Sequence, residues 1–320
     1  MKINSNLFSC PACKSDKIQS LESIPTSEIA KVWSVISLEA SERLTKYLDR
    51  GEVPTYTYMA KCHACGLEFA NPMFAGGEEW YADEGYGMRW EFEKCLQELN
   101  PSSKILEIGC GEGVFLDLAA REGHSVLGVD FNLRAIQQAK AKGLEVYGWD
   151  LRELSERLPN TKFDAVMLFH VIEHIEDLDT FFQDLSQIIS TGSSLHFSCP
   201  VSNRWGSQLE PDRKVALREV WDYPPHHQTR WNRLAADKIL SRFGWKLQKS
   251  LEEPLDWRGM STYLVSKELA SQGLELSALS PFKRKIKIAT KMLQSFVPSI
   301  NCAGMSMYYQ AIMYYQAIRQ

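Results

Sequence analysis

The residues of this 320-residue chain whose types and spacing suit chemistry fall into three groups. The first is Glu107-Ile108-Gly109-Cys110-Gly111-Glu112-Gly113, where glycines alternate directly after an apolar run. Glycines at a strand-to-helix turn let the backbone pass close to a ligand where a side chain would collide. The second is a doubled C-x-x-C: Cys10 and Cys13, then Cys62 and Cys65, with 48 residues between the pairs. Each pair has the spacing of a knuckle that points two thiolates at one ion, and two knuckles complete the tetrahedral four-sulfur set that zinc prefers. A closed set of this kind has no open coordination position, so the expected zinc is structural; reduced, metal-free thiols are the alternative. The third is WDYPPHHQTRW (221–231), in which two of the seven histidines, His226 and His227, follow two prolines between aromatic residues.

A ligand-binding turn needs a strand before it and a helix after it, and both recur from residue 104 onward. KILEIG (104–109), SVLGVD (125–130), LEVYGWD (144–150), FDAVMLFH (163–170) and SLHFSCP (194–200) read as strands. Between them VFLDLAAREG, LRAIQQAKAKG, LRELSERL and DTFFQDLSQIIS (179–190) read as helices. After a helix at NRLAADKILSRFG (232–244) come a strand at WKLQKSL (245–251) and a last one at 304–315. This alternation marks an α/β fold, a doubly wound, mostly parallel, seven-stranded sheet with helices on both faces. The expected organisation is a zinc-ribbon-like module over 1–77, a linker and aromatic lid helix over 78–103, and a ligand-binding domain over 104–320 with a helical excursion at 262–297. Residues 27–50 have helical apolar spacing ending at Gly51, an insert between the knuckles. The linker aromatics Trp80, Tyr81, Tyr86 and Trp90 read as packing against the next domain, with direct ligand contact the alternative.

Two kinds of ligand compete for the glycine turn. SVLGVD ends in Asp130, 21 residues after Gly109, where an acid can accept both hydroxyl hydrogens of a ribose. A nicotinamide cofactor would bring a pyrophosphate to this turn, but Glu112 stands in it and Glu107 just upstream. Carboxylates suit a cation with an amino group better than a dianion. S-adenosylmethionine, with a ribose, an adenine, a sulfonium and an ammonium but no phosphate, meets that requirement.

Together ILEIGCGEG, GVD, YGWD and FDAVMLFHVIEHIED resemble the class I S-adenosylmethionine-dependent methyltransferases, in particular their ubiquinone-methylating branch. The resemblance covers about residues 78 to 250 plus the terminal strand. The knuckles followed by GLEFANP, and the segment PPHHQTRW, are similar to a bacterial subgroup with an N-terminal zinc module, often associated with sugar or polysaccharide modification. The resemblance implies a Rossmann-like fold and a role for each matching residue. Glu107, Gly109 and Gly111, with Cys110 between the glycines, would line the methionine end of the cofactor. Asp130 would hold the ribose, Phe131 would flank the adenine, and Asp150 would face the adenine amino group with Leu151 beside it. Phe169 and His170 would pass their backbone near the sulfonium, and His174 lies in the following VIEHIED turn.

The tract at 221–231 follows the fifth strand, on the edge where open α/β sheets bind ligands, and Asn232 is a suitable cap for the next helix. Transfer to a hydroxyl requires loss of its proton, and a histidine, with a pKa of about 6.5, is a natural base. His226 or His227 is the candidate, with His226 favoured; loop packing is the alternative, and a catalytic metal is disfavoured because no carboxylate cluster completes a site. In FKRKIKIATKMLQSF (282–296), Phe282, Ile286, Ala289, Leu293 and Phe296 share one helical face and five basic residues surround the other. This reads as a cap docked on its own domain, or as a peripheral contact with an anionic membrane or a phosphorylated carrier.

The net charge of −4 opposes a nucleic-acid partner, which makes RNA methylation the lesser alternative. A non-catalytic scaffold would have no need of the intact glycine turn. No apolar run is long enough to cross a bilayer and no secretion-signal core precedes the first cysteine, so the eight cysteines read as thiols or ligands and the expected compartment is the cytoplasm. The expected function is methyl transfer to a small-molecule or saccharide-type acceptor, at oxygen in the first instance.

Overall fold

The computed structural model describes residues 9–34, 36–81, 87–201, 220–253, 265, 280–296 and 312–320. Tyr86, half of the excursion at 262–297 and residues 304–311 of the expected last strand lie outside the described residues.

After the first knuckle come β1 (Ile18–Pro25), α1 (Thr26–Trp33), α2 (Leu38–Asp49), β2 (Tyr56–Cys62), the second knuckle and β3 (Glu68–Asn71). The apolar spacing over 27–50 suggests one continuous helix, but the chain makes two. Ser37 is extended and its side chain accepts a hydrogen bond from the Ala40 amide, which starts α2 afresh. β1, β2 and β3 pair antiparallel.

Beyond α3 (Trp90–Glu98) the alternation is regular: β4 (Lys104–Ile108), α4 (Val114–Arg121), β5 (Ser125–Val129), α5 (Leu133–Ala141), β6 (Val146–Tyr147), α6 (Leu151–Arg157), β7 (Phe163–Phe169), α7 (Leu178–Gln187) and β8 (Ile189–Pro200). β9 (Thr229–Arg230), α8 (Arg233–Arg242), β10 (Trp245–Glu252), α9 (Pro281–Phe296) and β11 (Ile312–Arg319) follow. The seven-stranded sheet runs β10-β11-β8-β7-β4-β5-β6, parallel except at β11, which is antiparallel to both neighbours. It is the expected doubly wound, Rossmann-like fold. β7 is buried almost throughout, as a strand covered on both faces must be. Successive strands first spread from β4 toward β6 and then resume on the other side of β4 with β7. The crevice beyond the carboxyl ends of β4 and β7 is therefore the topological switch point, where such sheets bind ligands.

Three boundaries differ from the sequence reading. β6 is two residues rather than 144–150, because Asp150 has left the strand to cap α6: it accepts from the Glu153 amide while the Glu153 carboxylate accepts from the Asp150 amide. β8 begins at Ile189, paired with Phe163, where the sequence suggests continued helix. The last described strand is Ile312–Arg319, so it extends past the expected end at 315.

The tract at 221–231 is no free loop. β9 adds to the N-terminal sheet by pairing with β3, Phe69 opposite Thr229 and Glu68 opposite Arg230. Asn232 then caps α8 through the Ala235 amide, as expected. The two sheets share one buried core, in which Cys10, Cys62, Cys65, Leu67 and Phe69 are continuous with Leu106, Val166, Trp231 and Ala235. Arg242 of α8 fastens the first knuckle from outside, donating to the Pro11 and Ala12 carbonyls at 3.0 and 2.9 Å and to Asp179 at 2.6 Å. At the other extreme, α9 leaves Phe282 and Ile286 exposed. Among the described residues no helix is long and apolar enough to cross a membrane.

Because Arg242 ties the first knuckle to α8 and Asp179, Arg242→Ala should lower unfolding stability by about 1–3 kcal/mol. Urea denaturation followed by tryptophan fluorescence measures it, and Arg242→Lys should recover only part of the loss because a single ammonium does not reproduce the fork.

Candidate active site

A cavity of about 1140 Å³ opens at the switch point. Its floor is the turn after β4. Gly109 and Gly113 both have φ of 73°, and a Cβ on either would meet a neighbouring side chain at 2.4 Å, Val171 in one case and Leu144 in the other. The turn thus requires glycine for both conformation and space.

Carboxylates dominate this end. Glu107, on β4, is buried, and its Oε2 has no hydrogen-bond partner. Burial, reinforced by the Asp130 charge, pushes its carboxyl well above the usual carboxylate range. Asp130, directly after β5, is oriented by two amides: Gly111 donates to Oδ2 and Asn132 to Oδ1, each at 2.7 Å. Burial outweighs these bonds and raises the Asp130 pKa as well. Gly109, Cys110, Phe131, Asp150 and Leu151 complete the walls, Phe131 as an exposed rim residue. Gly111 does not line the cavity, and its amide acts on Asp130 instead.

The middle is built around His170, at the end of β7. It is a non-glycine residue at φ 58°, held there by its amide's bond to the Ser198 carbonyl at 2.9 Å. Its ring lies between two buried carboxylates, 3.2 Å from Glu91 and 3.6 Å from Glu173. Burial alone would lower its pKa, but Glu173 and Glu91 outweigh that and raise it. Glu91 in turn accepts from Ser198 Oγ at 2.9 Å, and despite burial the His170 contact lowers its pKa.

The far end gathers three imidazoles. The ring of His174 is 5.0 Å from those of both His226 and His227, which are 4.6 Å from each other. His174 Nδ1 lies 2.7 Å from the His226 carbonyl oxygen, so that nitrogen carries the hydrogen. His227 Nδ1 is 3.5 Å from buried Asp222. Burial, and then the nearby His174 charge, lower the His226 pKa to about 3. Trp33, Trp80, Tyr81 and Trp221 surround these rings, with Trp33 5.2 Å from Trp80 and 4.8 Å from Trp221.

Glu107, Gly109, Cys110, Asp130, Phe131, Asp150, Leu151, Phe169, His170, His174, His226 and His227 therefore border one cavity. The four knuckle cysteines form a separate cluster, with Cys10 Sγ 3.5 Å from Cys65 Sγ and Cys13 Sγ 3.5 Å from Cys62 Sγ. Sequence reasoning missed Glu91, Glu173 and the wall supplied by Trp33 and Trp80. Glu91 had a readable signal, since it falls with Phe92 and Cys95 on the buried face of α3, an unusual place for a carboxylate. Trp33 had none, because its nearness to residue 226 is purely tertiary.

A doubly wound sheet with a ribose-type acid after its second strand and a glycine turn after its first is the frame of a nucleoside-binding enzyme domain. Residues 82–250 match a protein family described as a methyltransferase domain. The chain belongs to that family, among the class I S-adenosylmethionine-dependent methyltransferases. It is similar to the human mitochondrial ubiquinone biosynthesis O-methyltransferase, 39% identical over 101 residues, covering 29% of this chain and 27% of that protein. It is also similar to a probable S-adenosylmethionine-dependent methyltransferase of Mycolicibacterium smegmatis, 28% identical over 149 residues, covering 46% and 53%. The chain thus spans between about a quarter and a half of the length of these curated relatives. A solved S-adenosylmethionine-dependent methyltransferase from Mesorhizobium loti superposes with a TM-score of 0.46 at 18% identity, covering 76% of this chain and 99% of that one.

His226 and the fully buried His196 of β8 both have pKa values lowered to about 3, chiefly by burial. The unfolded chain binds protons at these sites near pH 6.5 and the native state does not, so stability is present above that pH and lost on acidification. Each should remove roughly 2 kcal/mol between pH 7 and pH 5. Melting temperatures across that range should fall, and His196→Gln should flatten the dependence without affecting the cavity.

Proposed function

We propose that this chain transfers a methyl group from S-adenosylmethionine to a hydroxyl of a small-molecule or saccharide-type acceptor. The observation that carries the reading is the buried, unpartnered Glu107 oxygen, in the same cavity as an Asp130 carboxylate held by two amides. A buried carboxylate without a partner is costly, and a ligand ammonium relieves the cost. S-adenosylmethionine, when bound, supplies an electrophilic methyl carbon on a sulfonium centre.

In this reading Glu107 meets the ammonium and Asp130 the two ribose hydroxyls. Phe131 flanks the adenine at the rim, and Asp150 and Leu151 border its outer edge. The strained turn at His170 fixes the backbone that faces the sulfonium, and the Glu91 and Glu173 contacts hold that ring in place. The acceptor enters at the histidine end, where the flat faces of Trp33, Trp80 and Tyr81 suit a ring, aromatic or sugar. His227 activates its hydroxyl, and Asp222 beside it stabilises the charge that develops there, whereas burial makes His226, the histidine favoured from the sequence, the weaker base. Two relatives are named as ubiquinone biosynthesis O-methyltransferases, one human and one from Salmonella enteritidis, which favours oxygen as the methylated atom. The cysteine cluster suits a structural zinc: four thiolates at about 2.3 Å from an ion would stand about 3.8 Å apart, close to the observed 3.5 Å contacts.

Calorimetry with S-adenosylmethionine tests the reading. Wild type should bind, and Asp130→Ala should weaken binding at least tenfold; absence of binding at high ligand, or unchanged affinity in Asp130→Ala, would remove the assignment. His227→Ala should keep cofactor affinity within a factor of two and lose at least about 100-fold in turnover, as expected for removal of acid–base assistance.

A further inference from the structure

We propose that His174, His226 and His227 form a divalent transition-metal site whose open coordination position faces the acceptor end of the cavity. The proposal rests on the methyltransferase reading only for the word acceptor; the ligand geometry stands independently.

The three side chains come from two separate segments, the turn after β7 and the tract before β9, and each offers a ring nitrogen within 4.8 Å of the other two. A three-imidazole set suits zinc and its neighbours in the transition series, and three protein ligands leave one tetrahedral position open. One of the rings already carries the outer partner that metal-bound histidines ordinarily have. His174 donates from Nδ1 to the His226 carbonyl, which leaves Nε2 with its lone pair. His227 Nδ1 lies 3.5 Å from the buried Asp222 carboxylate, near enough for Asp222 to become its partner when an ion takes the opposite nitrogen. The surrounding scaffold is stiff. Gln228, next in sequence, is fully buried, and its amide donates to the Glu173 carbonyl at 2.7 Å, tying the two histidine segments to each other.

The disfavoured catalytic metal of the sequence reading rested on the lack of a carboxylate cluster near 226–227. The third ligand is a histidine instead, 52 residues away in the chain. An ion here would hold the acceptor oxygen against itself and acidify its hydroxyl, so that activation passes through the imidazoles to the metal.

The test is zinc stoichiometry and cobalt spectroscopy on the full, reduced chain. Wild type should take up two ions per chain, one of them giving thiolate-to-cobalt charge transfer and the other giving only the weaker bands of a nitrogen-ligated ion. His227→Ala should lose the second ion and keep the first, and Asp222→Asn should weaken the second 10- to 100-fold. S-adenosylmethionine binding, measured in parallel, reports that each variant is folded. If the wild type takes up only a thiolate-type ion, or if both variants leave the second ion unchanged, the site is not a metal site and an imidazole itself is the base. Failure of wild type to bind S-adenosylmethionine while the second ion binds would instead overturn the proposed function and leave the metal site standing.

Discussion

The structure depends on the anchoring of Gln228. Its side chain accepts from the Phe74 amide at 2.8 Å and donates to the Phe74 and Pro225 carbonyls at 3.1 and 3.3 Å. Its own amide donates to Glu173, and its carbonyl accepts from Ala70. One buried residue thus saturates its polar groups against the segment after β3, the turn after β7 and its own tract. A buried amide with every bond made rigidifies what it touches, and loss of any partner would leave a costly orphan. The consequence is functional: the N-terminal sheet, the strand-end turn bearing Glu173 and His174, and the pair His226–His227 cannot move independently.

This anchoring explains why the cysteine knuckles and the cavity share a core. The knuckles position β2 and β3, β3 takes β9 as its edge partner, and β9 fixes the tract that carries the imidazoles. The helices inserted between the knuckles then supply Trp33 and Ala40 to the cavity wall. The cysteine-knuckle module of this chain is therefore part of the pocket. Electrostatics divide the cavity between its ends. Carboxylates raised in pKa by burial lie at one end and the three imidazoles at the other, with the His170–Glu91 pair between them. A cationic cofactor suits the first end and an acceptor losing a proton suits the second.

Much of this was legible in the residues because periodicity and turn chemistry are local. The alternation from residue 104 gave the parallel sheet, and the glycine turn with Asp130 at the next strand end located the crevice. Asp150 shows where local reading fails: a strand-end acid and a helix cap look alike until Glu153 is seen to close the box. The tract at 221–231 was placed on the correct edge of the sheet, but its pairing with β3 spans more than 150 residues and leaves no local signature. The grouping of His174 with His226 and His227, and of Glu91 with His170, is invisible for the same reason. Each contact exists only because separate turns converge on one crevice.

The central claim, that the buried Glu107 carboxyl, its pKa raised by burial, receives the cofactor's cation, is tested most directly by counting protons. Calorimetric titration with S-adenosylmethionine at about pH 6, where an α-amino group is already cationic, should be repeated in buffers of different ionisation enthalpy. The account predicts net proton release on binding by wild type and less release by Glu107→Gln. Tight binding with no proton release, or equal release from Glu107→Gln, would contradict it.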